Sequence, residues 1–291
     1  MSADRHTIES AGLAATIKAD GAELCSLRDR EGRELLWQAG PAWPRHSPVL
    51  FPIVGRLAGD RLLHRGQSYR MTQHGFARDR RFAWEERGAA ACRLSLRDDA
   101  ETRAQYPFAF VLELAYALAE DGLTVTLAIA NPSREESLPA SAGAHPAFRW
   151  PLAPGIPKPA HRLEFALPEP APVRRLAGGL LIPEPVPSPI EGRSLALDET
   201  LFAADALILD RPASRSLRYA APGGPALELS WDGFAQLGLW SKPGGAEFLC
   251  IEPWHGFASP VGWDGEFAEK PGIVAVPPGG RREFRWRVAP G

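Results

Sequence analysis

The stretch Phe110-Val-Leu-Glu-Leu-Ala-Tyr-Ala-Leu-Ala-Glu-Asp-Gly-Leu-Thr-Val-Thr-Leu-Ala-Ile129 decides the fold. Large apolar residues occupy every second position from Phe110 to Leu118, and again from Leu123 to Ile129. An alternation with a period of two is typical of β-strands that bury one face. The Asp121-Gly122 pair between the two runs is a turn sequence that favours a tight hairpin. The stretch therefore predicts two antiparallel strands joined by a short turn.

The same alternation recurs in three other segments, at residues 163–167, 227–229 and 284–288. The 29 prolines and 28 glycines interrupt the chain at short intervals, which favours many short strands over long helices. Only residues 198–207 predict a helix, and a short one. The proline-rich residues 151–191 contain a strand-like segment at 161–167, which predicts ordered loops and edge strands. Because the chain has no internal repeat or domain boundary, we expect an all-β protein: one large antiparallel β-sandwich domain over residues 1–291.

Composition excludes several classes of protein. The chain is 45% hydrophobic and 23% charged with a net charge of −2, as ordinary globular proteins are. Arginine greatly outnumbers lysine, but acidic residues balance it, so a nucleic-acid partner is not expected. No apolar stretch approaches the ~18 residues of a membrane span, and residues 1–20 do not resemble a signal peptide. These features predict a cytoplasmic protein without a membrane partner; monomer and homodimer are both compatible with them.

The three cysteines, Cys25, Cys92 and Cys250, are odd in number and far apart. This spacing predicts free buried thiols in a reducing compartment rather than a disulfide framework or a zinc site.

Four segments break the alternation and collect polar residues; they span residues 47–59, 73–78, 142–148 and 250–256. His74 and His145 each stand beside glycine or proline, where a sharp turn of the backbone can present a side chain into a cleft. Glu252 follows the apolar residues 248–251, and a carboxylate at the end of a buried strand is costly unless it is paired or used. Trp254, two residues on, offers an apolar face suited to a sugar ring.

A carboxylate whose pKa is raised by burial can act as a general base, and histidine is the natural acid near neutral pH. These side chains therefore indicate acid–base chemistry on a polar ligand. They do not by themselves name the reaction.

Four motifs occur in a fixed order: Phe51-Pro-Ile-Val-Gly-Arg56, His74-Gly-Phe-Ala-Arg78, His145-Pro-Ala-Phe148 and Glu252-Pro-Trp254. The ordered set resembles the galactose mutarotase, or aldose 1-epimerase, superfamily, and its shorter bacterial branch most closely. The likeness extends from about residue 11 to residue 288. It implies the galactose mutarotase-like supersandwich with an open cleft, no metal and no organic cofactor. The implied activity is the interconversion of the α and β anomers of a free aldohexose or a related sugar.

The resemblance also implies roles for individual residues. Glu252 matches the family's general base, His145 its general acid, and His74 the second histidine, which holds and protonates the ring oxygen. The family's sugar-contacting arginine corresponds to Arg56.

The family's hydroxyl-binding aspartate has no firm match; Asp205 is the first candidate and Asp198 the second. Trp254 and Arg78 complete the expected sugar-binding residues.

Three alternatives remain open at this stage. The first is a non-catalytic carbohydrate-binding protein on the same scaffold. The second is a metal-dependent enzyme that uses the histidines and the carboxylate, namely His74, His145, Glu252 and His255. The third is a hexose-phosphate mutarotase that binds the phosphate through Arg78, Arg80 and Arg81. The sequence does not specify which sugar is the substrate.

Overall fold

The computed structural model describes residues 4–291, which form many short strands and very little helix. The strands are β1 (Arg5–Glu9), β2 (Leu13–Lys18), β3 (Leu24–Asp29), β4 (Val49–Leu50), β5 (Arg61–His64), β6 (Gln67–Arg70), β7 (Ala83–Arg87), β8 (Ala91–Arg97), β9 (Val111–Ala119), β10 (Gly122–Ala130), β11 (Leu138–Ala140), β12 (Ala142–Ala144), β13 (Ala147–Arg149), β14 (Arg162–Phe165), β15 (Leu176–Ala177), β16 (Leu180–Leu181), β17 (Ser194–Ala196), β18 (Leu207–Leu209), β19 (Ser216–Ala220), β20 (Ala226–Asp232), β21 (Gln236–Trp240), β22 (Phe248–His255), β23 (Val274–Val276) and β24 (Arg281–Pro290).

Helical structure is limited to single turns. The α-helix α1 spans Ala100–Arg103, and the 3-10 helices span Ala58–Asp60, Ala77–Asp79, Lys158–Ala160, Glu199–Phe202 and Phe267–Glu269. The helix predicted over residues 198–207 is therefore reduced to one 3-10 turn, because Asp198 caps the turn and β18 begins at residue 207. Among the described residues, no helix has the length and apolar character needed to cross a membrane.

The larger sheet has nine antiparallel strands in the order β17-β14-β19-β20-β24-β10-β9-β8-β7. The predicted hairpin lies inside this sheet: β9 and β10 pair with Leu118 opposite Leu123 and Leu114 opposite Leu127. The other alternating segments form β14, β20 and β24, so the sequence-based strand predictions are confirmed.

A second sheet of six strands has the order β18-β21-β22-β12-β4, with β13 also paired to β22. Leu237 and Leu239 of β21 and Leu249 and Ile251 of β22 are fully buried, in one apolar core with the inward residues of the nine-stranded sheet. The predicted antiparallel sandwich is thus confirmed, and the alternate residues of β21 and β22 lie on the outer face of the smaller sheet. These alternate positions carry Glu252 and both Trp240 and Trp254.

Glu23 joins the turn between β2 and β3, which belong to a three-stranded sheet with β1, to the segment that leads into β4. Its buried carboxylate accepts hydrogen bonds from the backbone N–H groups of His46 and Ser47 at 2.8 and 2.9 Å and pairs with Lys18. Burial alone would raise the pKa of this carboxyl, but the His46 and Lys18 contacts outweigh it and lower the pKa to about 2. Glu23 therefore contributes stability that is fully present above pH 4.5 and is lost as pH falls towards 2.

We expect Glu23→Gln to lower the free energy of unfolding at pH 7 by about 2 kcal/mol, since it removes a charged acceptor from buried donors. The difference between the parent and the variant should shrink near pH 3, where protonation weakens the parent as well. Urea denaturation at the two pH values measures both quantities, with the exposed Glu31→Gln as the control. An equal loss of stability at both pH values would contradict the assignment.

Candidate active site

A cavity of about 270 Å³ lies against the outer face of the six-stranded sheet. Its walls combine titratable and aromatic side chains, chiefly Trp43, His74, Arg78, His145, Asp205, Trp240, Glu252 and Trp254. The sandwich thus brings together six of the seven site residues that the sequence predicted, although they come from segments far apart in the chain.

His145 and Glu252 face each other across adjacent strands. Gly143 pairs with Trp254 and Ala147 with Cys250, a constant register that places His145 opposite Glu252. His145 Nε2 and Glu252 Oε2 are 3.1 Å apart, within reach of a proton transfer although not aligned as a hydrogen bond. Both side chains are buried, and Glu252 Oε2 has no hydrogen-bond donor among residues 4–291.

His74 is held beside this pair by a reciprocal contact with Gly55. The N–H of His74 donates to the Gly55 carbonyl at 2.8 Å, and the N–H of Gly55 donates to His74 Nδ1 at 3.1 Å. Because Nδ1 accepts, the neutral ring carries its proton on Nε2. The ring centroids of His74 and His145 are 5.6 Å apart, edge to face.

Glycine is required next to His74 for a steric reason. Gly75 has a φ of +70°, and a Cβ on it would lie 2.2 Å from the Phe51 carbonyl oxygen. The tight approach of these two backbones explains the His-Gly pairing in the sequence.

Burial favours the neutral form of all three titratable groups. It raises the pKa of Glu252 well above its usual range. Burial, followed by the nearby charge of Arg78, lowers the pKa of His145 to about 3, and burial together with His145 holds the pKa of His74 well below its usual range. The directions of these shifts favour a carboxylic acid beside a neutral imidazole in the sugar-free pair. This state holds the same number of protons as a carboxylate beside an imidazolium, so one proton transfer interconverts the two.

Aromatic rings surround His145. The Trp43 indole stacks on it with centroids 5.0 Å apart and planes at 28°, and Trp240 approaches edge-on at 6.0 Å. Trp254 is only 5% exposed and packs over Gly238 and Gly143, where a Cβ would collide with its ring. Trp254 therefore contributes a wall rather than an open platform.

Sequence reasoning missed Trp43, which lies outside any strand between β3 and β4. The only available signal was a tryptophan set between two prolines, Pro41 and Pro44, and that signal is weak.

The two arginines predicted to bind sugar differ in position relative to the cavity. Arg56 does not line the cavity; its guanidinium forms two hydrogen bonds to Asp60, at 2.7 and 3.0 Å, and its predicted sugar contact stays a prediction. Arg78 does line the cavity, where its Nη2 donates to the Gln73 carbonyl at 2.6 Å and its Nε has no acceptor among the described residues. Burial lowers the pKa of Arg78 to about 10, so it remains charged at neutral pH.

The two candidate aspartates also differ in position. Asp205 lines the cavity, and its carboxylate accepts from the N–H of Ala206 at 2.7 Å. Asp198 instead accepts from the N–H of Thr200 and caps the 3-10 helix. Of the two, only Asp205 is placed to contact a ligand in the cavity.

The residues proposed for a metal site do not all converge. His255 lies on the opposite face of β22, with its ring near Phe284 and its Nδ1 at 3.3 Å from the Gly233 carbonyl. Donor atoms of His145, Cys250 and Glu252 do lie within 4.8 Å of one another. Burial raises the pKa of the Cys250 thiol well above its usual range, which disfavours the thiolate that a metal would bind. The cluster suits proton transfer better than metal binding.

Comparison with known proteins gives a consistent result. The family model described as aldose 1-epimerase matches residues 4–267. Protein LacX of Lactococcus lactis subsp. lactis is 32% identical over 276 residues, which cover 91% of this chain and 92% of LacX. The galactose mutarotase related enzyme from Lactobacillus acidophilus superposes with a TM-score of 0.90 at 30% identity, covering 99% and 97% of the two chains.

A galactose mutarotase-like protein from Lactobacillus casei ATCC 334 superposes with a TM-score of 0.88 at 27% identity, covering 99% of this chain and all of its own. The fold, the extent of these matches and the family model agree. This chain belongs to the aldose 1-epimerase family.

Proposed function

We propose that this protein is an isomerase, an aldose 1-epimerase that interconverts the α and β anomers of a free aldohexose or a related sugar. The observation that carries the proposal is the 3.1 Å approach of His145 Nε2 to Glu252 Oε2 in the wall of a sugar-sized cavity. Opening the sugar ring requires a proton to leave the anomeric hydroxyl and another to reach the ring oxygen. Since both oxygens are bonded to C1, an acid and a base held close together can serve both.

The reaction proceeds in three parts. Glu252, as carboxylate, removes the proton from the C1 hydroxyl while His145, as imidazolium, gives its proton to O5 and the C1–O5 bond breaks. The open-chain aldehyde rotates about C1–C2. O5 then attacks the other face of the carbonyl and returns its proton to His145, and Glu252 returns its proton to O1. Burial favours the neutral form of the Glu252–His145 pair. The charged form arises when sugar binds and the carboxyl proton is transferred from Glu252 to His145.

Other cavity residues have supporting roles in this proposal. His74 donates from Nε2 towards O5 and stabilises the negative charge that develops there. Arg78 donates to a sugar hydroxyl from its guanidinium, and Asp205 accepts from another hydroxyl. Trp254 forms an apolar wall against the C–H groups of the ring.

The alternative functions have less support. A binding protein has no need for a buried acid–base pair, whose desolvation is costly. The phosphate site proposed from three arginines does not form. Arg80 pairs with Asp99 and Glu101, and Arg81 with Asp4 and Asp20, which leaves only Arg78 in the cavity.

Saturation transfer between the anomeric protons of glucose, galactose and glucose 6-phosphate, measured by NMR, tests the proposal directly. We expect enzyme-dependent transfer with at least one free aldose and faster transfer for it than for the phosphate ester. A binding protein would broaden the sugar signals without any transfer. Purified protein that produces no transfer with a broad panel of aldoses would refute the proposal.

The pH dependence of the rate follows from the pair's single proton. On the alkaline side, the pair loses its proton and with it the general acid. The raised pKa of Glu252 moves this loss of rate to higher pH. On the acid side, the pair binds a second proton and loses its general base. This happens only as pH falls towards the His145 pKa of about 3. We therefore expect a plateau of kcat that includes neutral pH, bounded by losses on both sides. Saturation transfer from about pH 3 to about pH 10 measures it, and a rate that climbs steadily through neutrality would contradict it.

A further inference from the structure

We propose that Trp43 is a positioning residue for His145: its indole face fixes the imidazole ring in the orientation needed for proton transfer. The inference rests on the proposed function, because it concerns the acid of that reaction. A catalytic histidine is usually oriented by a hydrogen bond from its second ring nitrogen. His145 lacks this support, since its buried Nδ1 makes no hydrogen bond to another residue within the part of the chain that the structure describes.

Aromatic contacts take the place of that hydrogen bond. Trp43 covers one face of the His145 ring at 5.0 Å, and the edge-on contacts with His74 and Trp240, at 5.6 and 6.0 Å, limit rotation of the ring. With these three contacts in place, Nε2 stays directed at Glu252.

Trp43 is itself held firmly enough to act as a support. Its ring also stacks with Phe248 of β22 at 5.4 Å and 28°, and it meets Trp240 edge-on at 5.8 Å. The Trp37 indole N–H donates to the Trp43 carbonyl at 2.8 Å, which fixes the backbone of this loop. The loop is thus anchored to the strand that carries Glu252, and the acid and base share one support.

The stacked indole also affects the charge that His145 carries during the reaction. Burial and the positive charge of Arg78 both oppose protonation of His145. An indole face attracts a cation, so Trp43 favours the imidazolium that exists transiently between proton uptake and transfer to O5. Loss of the aromatic face should therefore slow the chemical step more than it weakens sugar binding.

The test compares Trp43→Phe, Trp43→Leu and Trp43→Met with the parent, using saturation transfer at several sugar concentrations. We expect the Leu and Met variants to lose about 10- to 100-fold in kcat with little change in KM, and the Phe variant to retain most of the rate. Trp84→Leu, which removes an indole that meets His6 edge-on away from the cavity, should keep parental kcat. Met has a longer and more flexible side chain than Leu and serves if the Leu variant does not fold.

A second readout does not depend on turnover. In the parent without sugar, the His145 ring protons should be shifted upfield by the Trp43 ring current, and the shift should be lost in the Leu and Met variants. Unchanged kcat in those variants overturns the inference, as does a rise in KM at constant kcat, which would make Trp43 a sugar platform. A parent with no transfer on any aldose refutes the proposed function instead, so the two failures are distinguishable.

Discussion

Replacing Glu252 with glutamine is expected to reduce kcat for anomer interconversion by about 10²–10⁴-fold, the contribution of a well-placed general base. Glutamine has the same shape as glutamate, so the β22 backbone and the wall formed by Trp254 should be preserved. Its amide neither accepts the anomeric proton nor transfers a proton to His145. The variant should therefore still bind sugar, with KM close to that of the parent.

The matched control for this variant is Glu169→Gln. Glu169 is also a buried carboxylate, 3% exposed, but it accepts from the N–H groups of Ala213 and Ser214 and does not line the cavity. This control should lose stability, measured as a lower Tm, and keep kcat. If Glu252→Gln retains more than about a tenth of the parental kcat while its Tm is unchanged, Glu252 is not the base.

Local sequence determined much of the fold in a way that could be predicted. The β9–β10 hairpin combines an unbroken alternation with a turn sequence, and both signals depend only on residues near in the chain. The position of His145 opposite Glu252 is different, because it depends on the pairing of β12 with β22. β12 is short and β22 is almost entirely buried. The alternation of apolar residues therefore does not specify which strand each of them pairs with. The residue types indicated acid–base chemistry, and the resemblance to a known family assigned a role to each of these two residues.

Three features of the site were not predicted. Arg56 follows the motif that suggests a sugar contact, and Asp60, four residues away, binds its guanidinium. Trp43 carries only a weak local signal, and its proposed role depends on a loop that packs against β22. The protonation state of the pair also depends on burial, which the sequence indicated for Glu252 but not for His145. The carboxylate expected from the ordinary pKa of glutamate is therefore disfavoured, and burial favours the neutral form of both groups.

The second large effect is expected for His145→Asn, which should reduce kcat by about 10²–10⁴-fold because the ring oxygen loses its proton donor. Asparagine keeps a polar group at this buried position but has no titratable proton. His161→Asn is the matched control, since His161 is buried, accepts from the Leu152 N–H at 3.2 Å and lies outside the cavity walls. The control should lose stability without losing catalysis.

The double variant Glu252→Gln/His145→Asn distinguishes a shared proton from two independent catalysts. If the residues acted separately, their losses in kcat would multiply. Because each needs the other to supply or accept the single proton, removing either already abolishes the transfer, and the double variant should be no more than about tenfold slower than the slower single variant. Saturation transfer on the four proteins measures this coupling. Fully multiplicative losses would show that the 3.1 Å approach of Nε2 to Oε2 is a packing contact rather than a proton-sharing pair.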